Sequence, residues 1–132
     1  MNSIDLLKIA ENARKNSLCK CSSYSVGAAL LAKSGTVYIG ANIEDPVIMG
    51  LSNCAERVAF QNAFSHGERN FEAIAIVGAN KDENAKLDVI PCGMCIQYIL
   101  DMCDDISIIT YDKNGEVKSN KVDYYIKGTF KI

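Results

Sequence analysis

The feature that most constrains this chain is the position of three cysteines at the predicted starts of two helices. Cys54 opens a Cys-Ala-Glu motif, and Cys92 and Cys95 belong to the motif Pro-Cys-Gly-Met-Cys. Two cysteines three residues apart in the first turn of a helix point to the same side, so they can bind one ion. The N–H groups at a helix start favour thiolates over thiols. A third thiolate, from Cys54, would leave the fourth position of a zinc ion open for water, which is typical of a catalytic zinc site.

Two charged residues follow Cys54 directly. Glu56 falls in the same first turn, where its carboxylate could exchange protons with a water on the metal without being a ligand. Three thiolates leave a zinc site negatively charged, which weakens its power to ionise water. Arg57 is placed to compensate this charge by donating a hydrogen bond to a ligand sulfur.

Each of these features has an alternative interpretation. A Cys-x-x-Cys pair is also typical of a thiol–disulfide redox protein. Asn53 followed three residues later by Glu56 could form a capping box. A closed zinc site, with Cys21 or Cys103 as its fourth thiolate, would be structural rather than catalytic. Outside such a site, Cys19, Cys21 and Cys103 are interpreted as small buried apolar residues.

Hydrophobic periodicity predicts one α/β domain over residues 1–132. Helices are expected over 3–15, over 54–66 and after Pro91, where a cluster ending in Cys103 shares one face. Strands are expected over 25–32, 36–43, 73–77, 106–111 and 116–118. This order predicts a three-layer α-β-α sandwich around a mixed sheet of about five strands.

Charge and hydropathy exclude several classes of function. The chain has 14 basic and 16 acidic side chains, a net charge of −2 that does not favour nucleic acid as a partner. There is no apolar run long enough to span a membrane, and no secretory signal is visible at the first residues. We therefore expect a cytoplasmic protein whose six cysteines serve metal or redox chemistry rather than a disulfide framework.

With these motifs, the chain resembles the small zinc-dependent cytidine deaminases, homotetramers that act on free nucleosides. The resemblance extends from about residue 22 to residue 130 and is carried by the segments 26–31, 40–44, 54–57 and 91–97. It implies one Zn²⁺ per chain on Cys54, Cys92 and Cys95, with Glu56 as the catalytic proton shuttle. It also implies that Arg57 supports a ligand sulfur.

The resemblance further implies how a nucleoside would be bound. Asn42 and Glu44 match the residues that hydrogen-bond the ribose, and Ala55 falls in the substrate-contacting part of its motif. Tyr24 stands where the family usually has a Phe that stacks on the base, and it adds a hydroxyl that needs a partner. Phe130 resembles a C-terminal aromatic that reaches a neighbouring subunit's site, so sites would be shared within a homotetramer.

The implied activity is hydrolytic deamination of cytidine, and of deoxycytidine, to the uridine product and ammonia in pyrimidine salvage. The alternative within the family is deamination of a modified cytosine nucleoside such as blasticidin S. Three departures bear on the choice: residues 45–48 read Asp-Pro-Val-Ile for the usual Asn-Ala-x-Tyr, Ile96 replaces a second Arg, and residues 124–126 replace Leu-Leu-Pro. These changes affect the substrate rim and subunit contacts more than the metal centre.

Overall fold

One mixed β-sheet forms the centre of the molecule in the computed structural model, which describes residues 1–85 and 89–125. Its strands are β1 (Tyr24–Ala32), β2 (Val37–Ala41), β3 (Phe71–Asn80), β4 (Ser107–Tyr111) and β5 (Val117–Lys121). Their order across the sheet is β2-β1-β3-β4-β5. The strands β3 and β4 are parallel, and the other neighbouring pairs are antiparallel. The predicted fold class is therefore confirmed.

Helices cover both faces of this sheet. The α-helices are α1 (Ser3–Ala13), α2 (Ala55–Ser65) and α3 (Gly93–Met102), and short 3₁₀ turns occupy Arg14–Asn16, Met49–Leu51 and Val122–Tyr125. Apolar residues of α1 pack on one face of the sheet, and those of α2 and α3 pack on the other. Within the described residues, no helix has both the length and the apolar character needed to cross a bilayer.

The element boundaries follow local chemistry at most positions. Asn2 caps α1 by accepting a hydrogen bond from the backbone N–H of Asp5 at 2.8 Å. Gly67, with a φ of +87°, follows the end of α2 in a left-handed conformation. Two strands are longer than predicted, because β3 pairs along the whole of β1 and β5 pairs along the whole of β4. Cys103 follows α3 as its C-cap and packs against the same core cluster as Ile96 and Ile99, as predicted.

Gly40 determines how closely α2 approaches the sheet. A Cβ atom at this position of β2 would lie under 3.0 Å from the carbonyl oxygen of Ala55 and the backbone nitrogen of Ala59. Only glycine leaves room for the helix backbone at this separation. The start of α2, and with it Cys54, is therefore held directly above the end of β2.

Candidate active site

Three cysteine sulfurs converge between the starts of α2 and α3. Cys54 is the N-cap of α2, Cys92 is the N-cap of α3, and Cys95 lies in the first turn of α3. All three sulfurs lie within 4.8 Å of one another. The Sγ atoms of Cys54 and Cys92 are 3.7 Å apart, close to the about 3.8 Å expected between two sulfurs on a tetrahedral zinc ion. The donor set therefore fits one zinc ion.

Helix geometry explains why these thiols are suited to a cation. The sulfur of Cys92 accepts a hydrogen bond from the backbone N–H of Cys95 at 3.3 Å. Helix starts carry partial positive charge, so both N-cap sulfurs are in positions that stabilise thiolates. Cys95 is fully buried, Cys54 is half-buried, and Cys92 is exposed.

Arg57 interacts directly with the sulfur cluster. Its Nη2 donates a hydrogen bond to the Sγ of Cys54 at 3.3 Å. A hydrogen bond from Cys95 and this bond from Arg57 outweigh burial and lower the pKa of Cys54 to about 5. The pKa of Cys95 is raised, because its proton is held in the bond to Cys54 and because it is buried. Cys54 therefore loses its proton more readily than Cys95.

Glu56 is a buried carboxyl group beside this cluster. It is only 4% exposed, and its side chain is hydrogen-bonded to that of Cys95. Burial raises its pKa, so the group is suited to hold and release a proton. The arrangement is the one that the motif predicts for a proton shuttle beside a metal, and that role remains a prediction.

The capping-box interpretation of Asn53 and Glu56 is wrong. The N-cap of α2 is Cys54, one residue later than the box requires. The backbone of Asn53 is paired in both directions with that of Ile43, at 2.9 and 2.8 Å, so it is held as a strand-like bridge. Its side-chain nitrogen donates to Gln61 at 2.6 Å.

The closed, four-cysteine zinc site is also wrong. The group of possible metal ligands contains Cys54, Cys92 and Cys95, and neither Cys21 nor Cys103 joins it. Cys21 is exposed on a loop, which also corrects its interpretation as a buried apolar residue. A metal bound by three thiolates retains an open coordination position.

A cavity of about 430 Å³ opens beside the sulfur cluster. This volume lies within the range of small-molecule sites in proteins. Eight of the predicted site residues line it: the ligands Cys54 and Cys92, and with them Tyr24, Asn42, Glu44, Ala55, Glu56 and Arg57. Phe130, also predicted at the site, lies outside the described residues.

Asn42 holds the first part of β1 in place at this cavity. Its Oδ1 accepts hydrogen bonds from the hydroxyl of Ser17 at 2.5 Å and from the backbone N–H of Val26 at 2.9 Å. Its Nδ2 donates to the carbonyl oxygen of Tyr24 at 2.9 Å. Asn42 is therefore an organised residue of the cavity wall rather than the exposed end of a strand.

Glu44 is held by a loop that precedes β1. Its carboxylate accepts hydrogen bonds from the backbone N–H groups of Cys21 and Ser22, both at 3.0 Å, and from the hydroxyl of Ser22 at 2.5 Å. Burial raises its pKa, but these hydrogen bonds outweigh it and keep the pKa below its usual range. Sequence analysis missed Ser17 and Ser22, because their partners lie more than 20 residues away and no local pattern connects them.

A short backbone ladder connects the two ends of the cavity. Leu18 accepts from the N–H of Glu44 at 2.8 Å and donates to the carbonyl of Asn42 at 3.0 Å. Between them, Ile43 is bridged to both Leu18 and Asn53. Since Asn53 directly precedes Cys54, backbone hydrogen bonds join Asn42 and Glu44 to the start of α2.

Three cysteine ligands that leave one coordination position of a metal open, with a buried carboxyl group beside them, define the active centre of a zinc-dependent hydrolytic enzyme. The chain belongs to the family described as the cytidine and deoxycytidylate deaminase zinc-binding region, whose model matches residues 2–110.

Individual relatives agree with this assignment. A cytidine deaminase of Halalkalibacterium halodurans is 39% identical over 126 residues, which cover 95% of this chain and 91% of that protein. A crystal structure of cytidine deaminase from Burkholderia pseudomallei superimposes with a TM-score of 0.84 at 30% identity, and covers 98% of this chain and 100% of that one. A blasticidin-S deaminase of Bacillus cereus is 27% identical over 126 residues, which cover 93% of this chain and 88% of that protein.

Proposed function

We propose that this protein is a zinc-dependent hydrolase that converts cytidine and deoxycytidine to uridine and deoxyuridine, with release of ammonia. One observation carries the proposal: the sulfurs of Cys54, Cys92 and Cys95 meet at two helix starts, beside buried Glu56 and at the wall of a nucleoside-sized cavity. The reaction would return cytosine nucleosides to the uridine pool, and the proposal includes a role in pyrimidine salvage in the cytoplasm.

A zinc ion held by Cys54, Cys92 and Cys95 would supply an acidified water as the nucleophile. Glu56 accepts a proton from this water as its oxygen adds to C4 of the pyrimidine, and delivers that proton to N3. Glu56 then transfers the remaining hydroxyl proton to the amino group, the C4–N bond breaks, and ammonia leaves. Water and cytidine are consumed, and uridine and ammonia are formed. Both protons of the water pass through Glu56, which ends in the protonation state in which it began.

The sugar end of the site is formed by Asn42 and Glu44. Both line the cavity, and backbone bonds to Leu18 hold them at one end of it. The carboxylate of Glu44 accepts hydrogen bonds from sugar hydroxyls, and the amide of Asn42 supplies a donor. Because the pKa of Glu44 is lowered, its charge is present at neutral pH and disfavours a phosphate on the sugar.

The base end is formed by Tyr24, Ala55 and Glu56. Tyr24 lies in the wall of the cavity, where its ring offers a flat apolar surface to a pyrimidine. Ala55 begins α2 between a metal ligand and the proton shuttle, so its small side chain lets the base approach both. In the proposed orientation, C4 of the base points toward the sulfur cluster and the sugar points toward Glu44.

We further propose that the working unit is a homotetramer with sites shared between subunits. Large apolar side chains are exposed around the mouth of the cavity, with exposed fractions of 85% for Val47, 66% for Leu51, 65% for Ile90 and 67% for Met94. Several exposed apolar side chains of this kind are typical of a protein interface. Since Ile90 and Met94 also line the cavity, a neighbouring copy on this patch would cover the substrate.

Light scattering tests this assembly. We expect the mass of a tetramer for the parent chain and a smaller species for Val47→Asp. Val117→Asp, which introduces the same charge at an exposed site on β5, is the control and should leave the mass unchanged. An active monomer would overturn the proposed assembly.

A modified cytosine nucleoside is the second candidate substrate. The chain departs from the cytidine deaminase pattern at Tyr24, Ile48 and Ile96, and it has a relative named blasticidin-S deaminase. Ile96 follows the ligand Cys95 in α3 and packs into the core, so this position offers no charged donor beside the ligands.

A panel assay for ammonia release decides between the candidates. Cytidine, deoxycytidine, cytosine and blasticidin S are compared at equal concentration with the zinc-loaded protein. We expect turnover of both nucleosides and at least 10³-fold lower efficiency for cytosine, since the polar groups at the sugar end would be unpaired. A strong preference for blasticidin S would select the second candidate, and equal efficiency on cytosine and cytidine would contradict sugar recognition.

A further inference from the structure

Strand β3 carries a glycine in the row of residues that faces the cavity. Side chains alternate along a strand, so Ile74, Ile76 and Gly78 lie on the same face, and Ile76 lines the cavity. Gly78 pairs with Val26 of β1, which also lines the cavity. The backbone does not demand glycine here, because Gly78 is not among the glycines with positive φ. Its use must lie in the space that it leaves.

The ring of Tyr24 occupies that space. A Cβ atom at position 78 would lie 2.8 Å from the hydroxyl oxygen of Tyr24 and 3.2 Å from its Cε2 and Cζ atoms. Carbon and oxygen atoms that are not bonded do not approach to 2.8 Å in this way without displacement. The hydroxyl end of the Tyr24 ring therefore lies this close to β3 only because residue 78 has no side chain.

We propose that Gly78 is a positioning residue for the substrate, which acts by holding the ring of Tyr24 against β3 and so keeps the base end of the cavity open. The inference rests on the proposed function. The ring lies between β3 and the cavity, so a methyl group on the strand side displaces it toward the space that the pyrimidine needs.

Other close-packed glycines would respond differently. At Gly27 and Gly40, the nearest atoms to an added Cβ are backbone atoms of α1 and α2, which cannot move without disturbing the fold. At Gly78, the nearest atoms belong to the far end of a side chain. A methyl group at 78 therefore changes the shape of the site while the sheet and the metal centre remain intact.

The hydroxyl makes the requirement specific to tyrosine. Without the hydroxyl oxygen, the remaining contacts would be the two ring carbons at 3.2 Å, which a shift of a few tenths of an ångström relieves. Glycine at 78 is thus matched to tyrosine at 24. The departure at Tyr24 and the glycine on the neighbouring strand form one structural unit.

A double-mutant cycle tests this coupling. Gly78→Ala is made in the parent and in the Tyr24→Phe background, and kcat, KM for cytidine and zinc content are measured for all four proteins. We expect Gly78→Ala to raise KM at least tenfold in the parent and less than threefold in the Tyr24→Phe background. We expect kcat to change less than threefold on Gly78→Ala, and zinc to remain at about one per chain.

Ser119→Thr is the matched control. It adds one methyl group at an exposed position of β5 that does not line the cavity, so KM should change less than threefold. An equal effect of Gly78→Ala in both backgrounds, or no effect in either, would overturn the inference. A parent protein that releases no ammonia from cytidine would instead overturn the proposed function, so the two failures are distinguishable.

Discussion

The carboxylate of Glu44 accepts hydrogen bonds from both the backbone N–H and the hydroxyl of Ser22, at 3.0 and 2.5 Å. A residue assigned to bind substrate is therefore also the anchor of the loop before β1. The loop fixes the carboxylate before substrate arrives, which lowers the entropy lost on binding. Its hydrogen bonds also keep the group ionised.

Glu44→Ala should lower kcat/KM for cytidine by about 10- to 100-fold, because a hydrogen bond to a charged group contributes about 1.5–3 kcal/mol. Zinc content should remain unchanged. Ser22→Ala is the matched variant: it removes one hydroxyl donor but leaves the carboxylate and two backbone donors, so its effect should stay below about fivefold. Equal losses in both variants, measured by steady-state kinetics, would mean that Glu44 only holds the loop.

Glu56→Gln should retain zinc and fold but lose about 10²- to 10⁴-fold in kcat, the typical contribution of a general acid–base group. Glutamine preserves the shape of the side chain and removes its capacity to transfer protons. Glu68→Gln, which alters a half-buried carboxylate that accepts a hydrogen bond from Ser34, is the control and should keep full activity. Turnover of Glu56→Gln within tenfold of the parent would contradict its role as proton shuttle.

Alanine substitution of Cys54, Cys92 or Cys95 should lower zinc content from about one per chain to well below it, because each removes one of three protein ligands. Cys103→Ala, outside the ligand group, should retain the metal. Elemental analysis after dialysis against a weak chelator measures the difference. A metal-free parent protein with full activity would contradict the assignment of the site.

Arg57→Ala should cause zinc to be lost at a higher pH when the protein is acidified. Protons compete with zinc for thiolates, and the hydrogen bond from Arg57 helps to lower the pKa of Cys54 to about 5. Removing this donor raises that pKa, so the midpoint of zinc release should rise by about one pH unit. Arg69→Ala, whose guanidinium contacts backbone carbonyls on the surface, should leave the midpoint unchanged.

Cys103 should make stability fall at alkaline pH. Burial, with a smaller effect from the carboxylate of Asp104, raises the pKa of Cys103 to about 12. Between pH 9 and 12 the unfolded chain releases this proton and the folded chain retains it, so the free energy of unfolding decreases as pH rises.

The free energy of unfolding of the parent, relative to Cys103→Ala, should therefore decrease by about 0.5–1 kcal/mol between pH 8 and pH 10. This figure allows for the partial exposure of the side chain. Denaturant unfolding at several pH values measures it. Val58→Ala involves no titratable group, and its difference from the parent should not vary with pH. If the stability of the parent relative to Cys103→Ala instead increased between pH 8 and pH 10, the prediction would be contradicted.

The metal centre is the part of the site that the sequence predicts best. Cys54 and Cys92 are at helix starts because the motifs themselves contain the signals of a start, and Cys95 follows within one turn. The spacing within each motif determines where its sulfurs lie on the helix. For the three sulfurs to converge on one metal, the two helix starts need only lie side by side. The close approach of α2 to the sheet over Gly40 meets part of that requirement.

Features that depend on distant pairing could not be predicted in the same way. The capping box failed because Ile43, ten residues earlier, holds the backbone of Asn53 in an extended bridge. The strand predicted over 73–77 extends over 71–80 because its partner β1 is nine residues long. The partner of the Tyr24 ring, Gly78, lies 54 residues away and becomes visible only when β1 and β3 are paired.

The backbone bridges of Ile43 have a consequence for how such a site can change over evolution. The distance between the sugar end and the metal end of the cavity is set by main-chain hydrogen bonds from Leu18 through Ile43 to Asn53. It is not set by the side chains that contact a ligand. Substitutions in the wall can therefore alter which base or sugar is preferred while the span of an acceptable ligand stays constant. In this site, the preference for a base or a sugar and the length of the ligand are therefore set by different parts of the structure. Only a change in the backbone bridge itself would alter the length of ligand that fits.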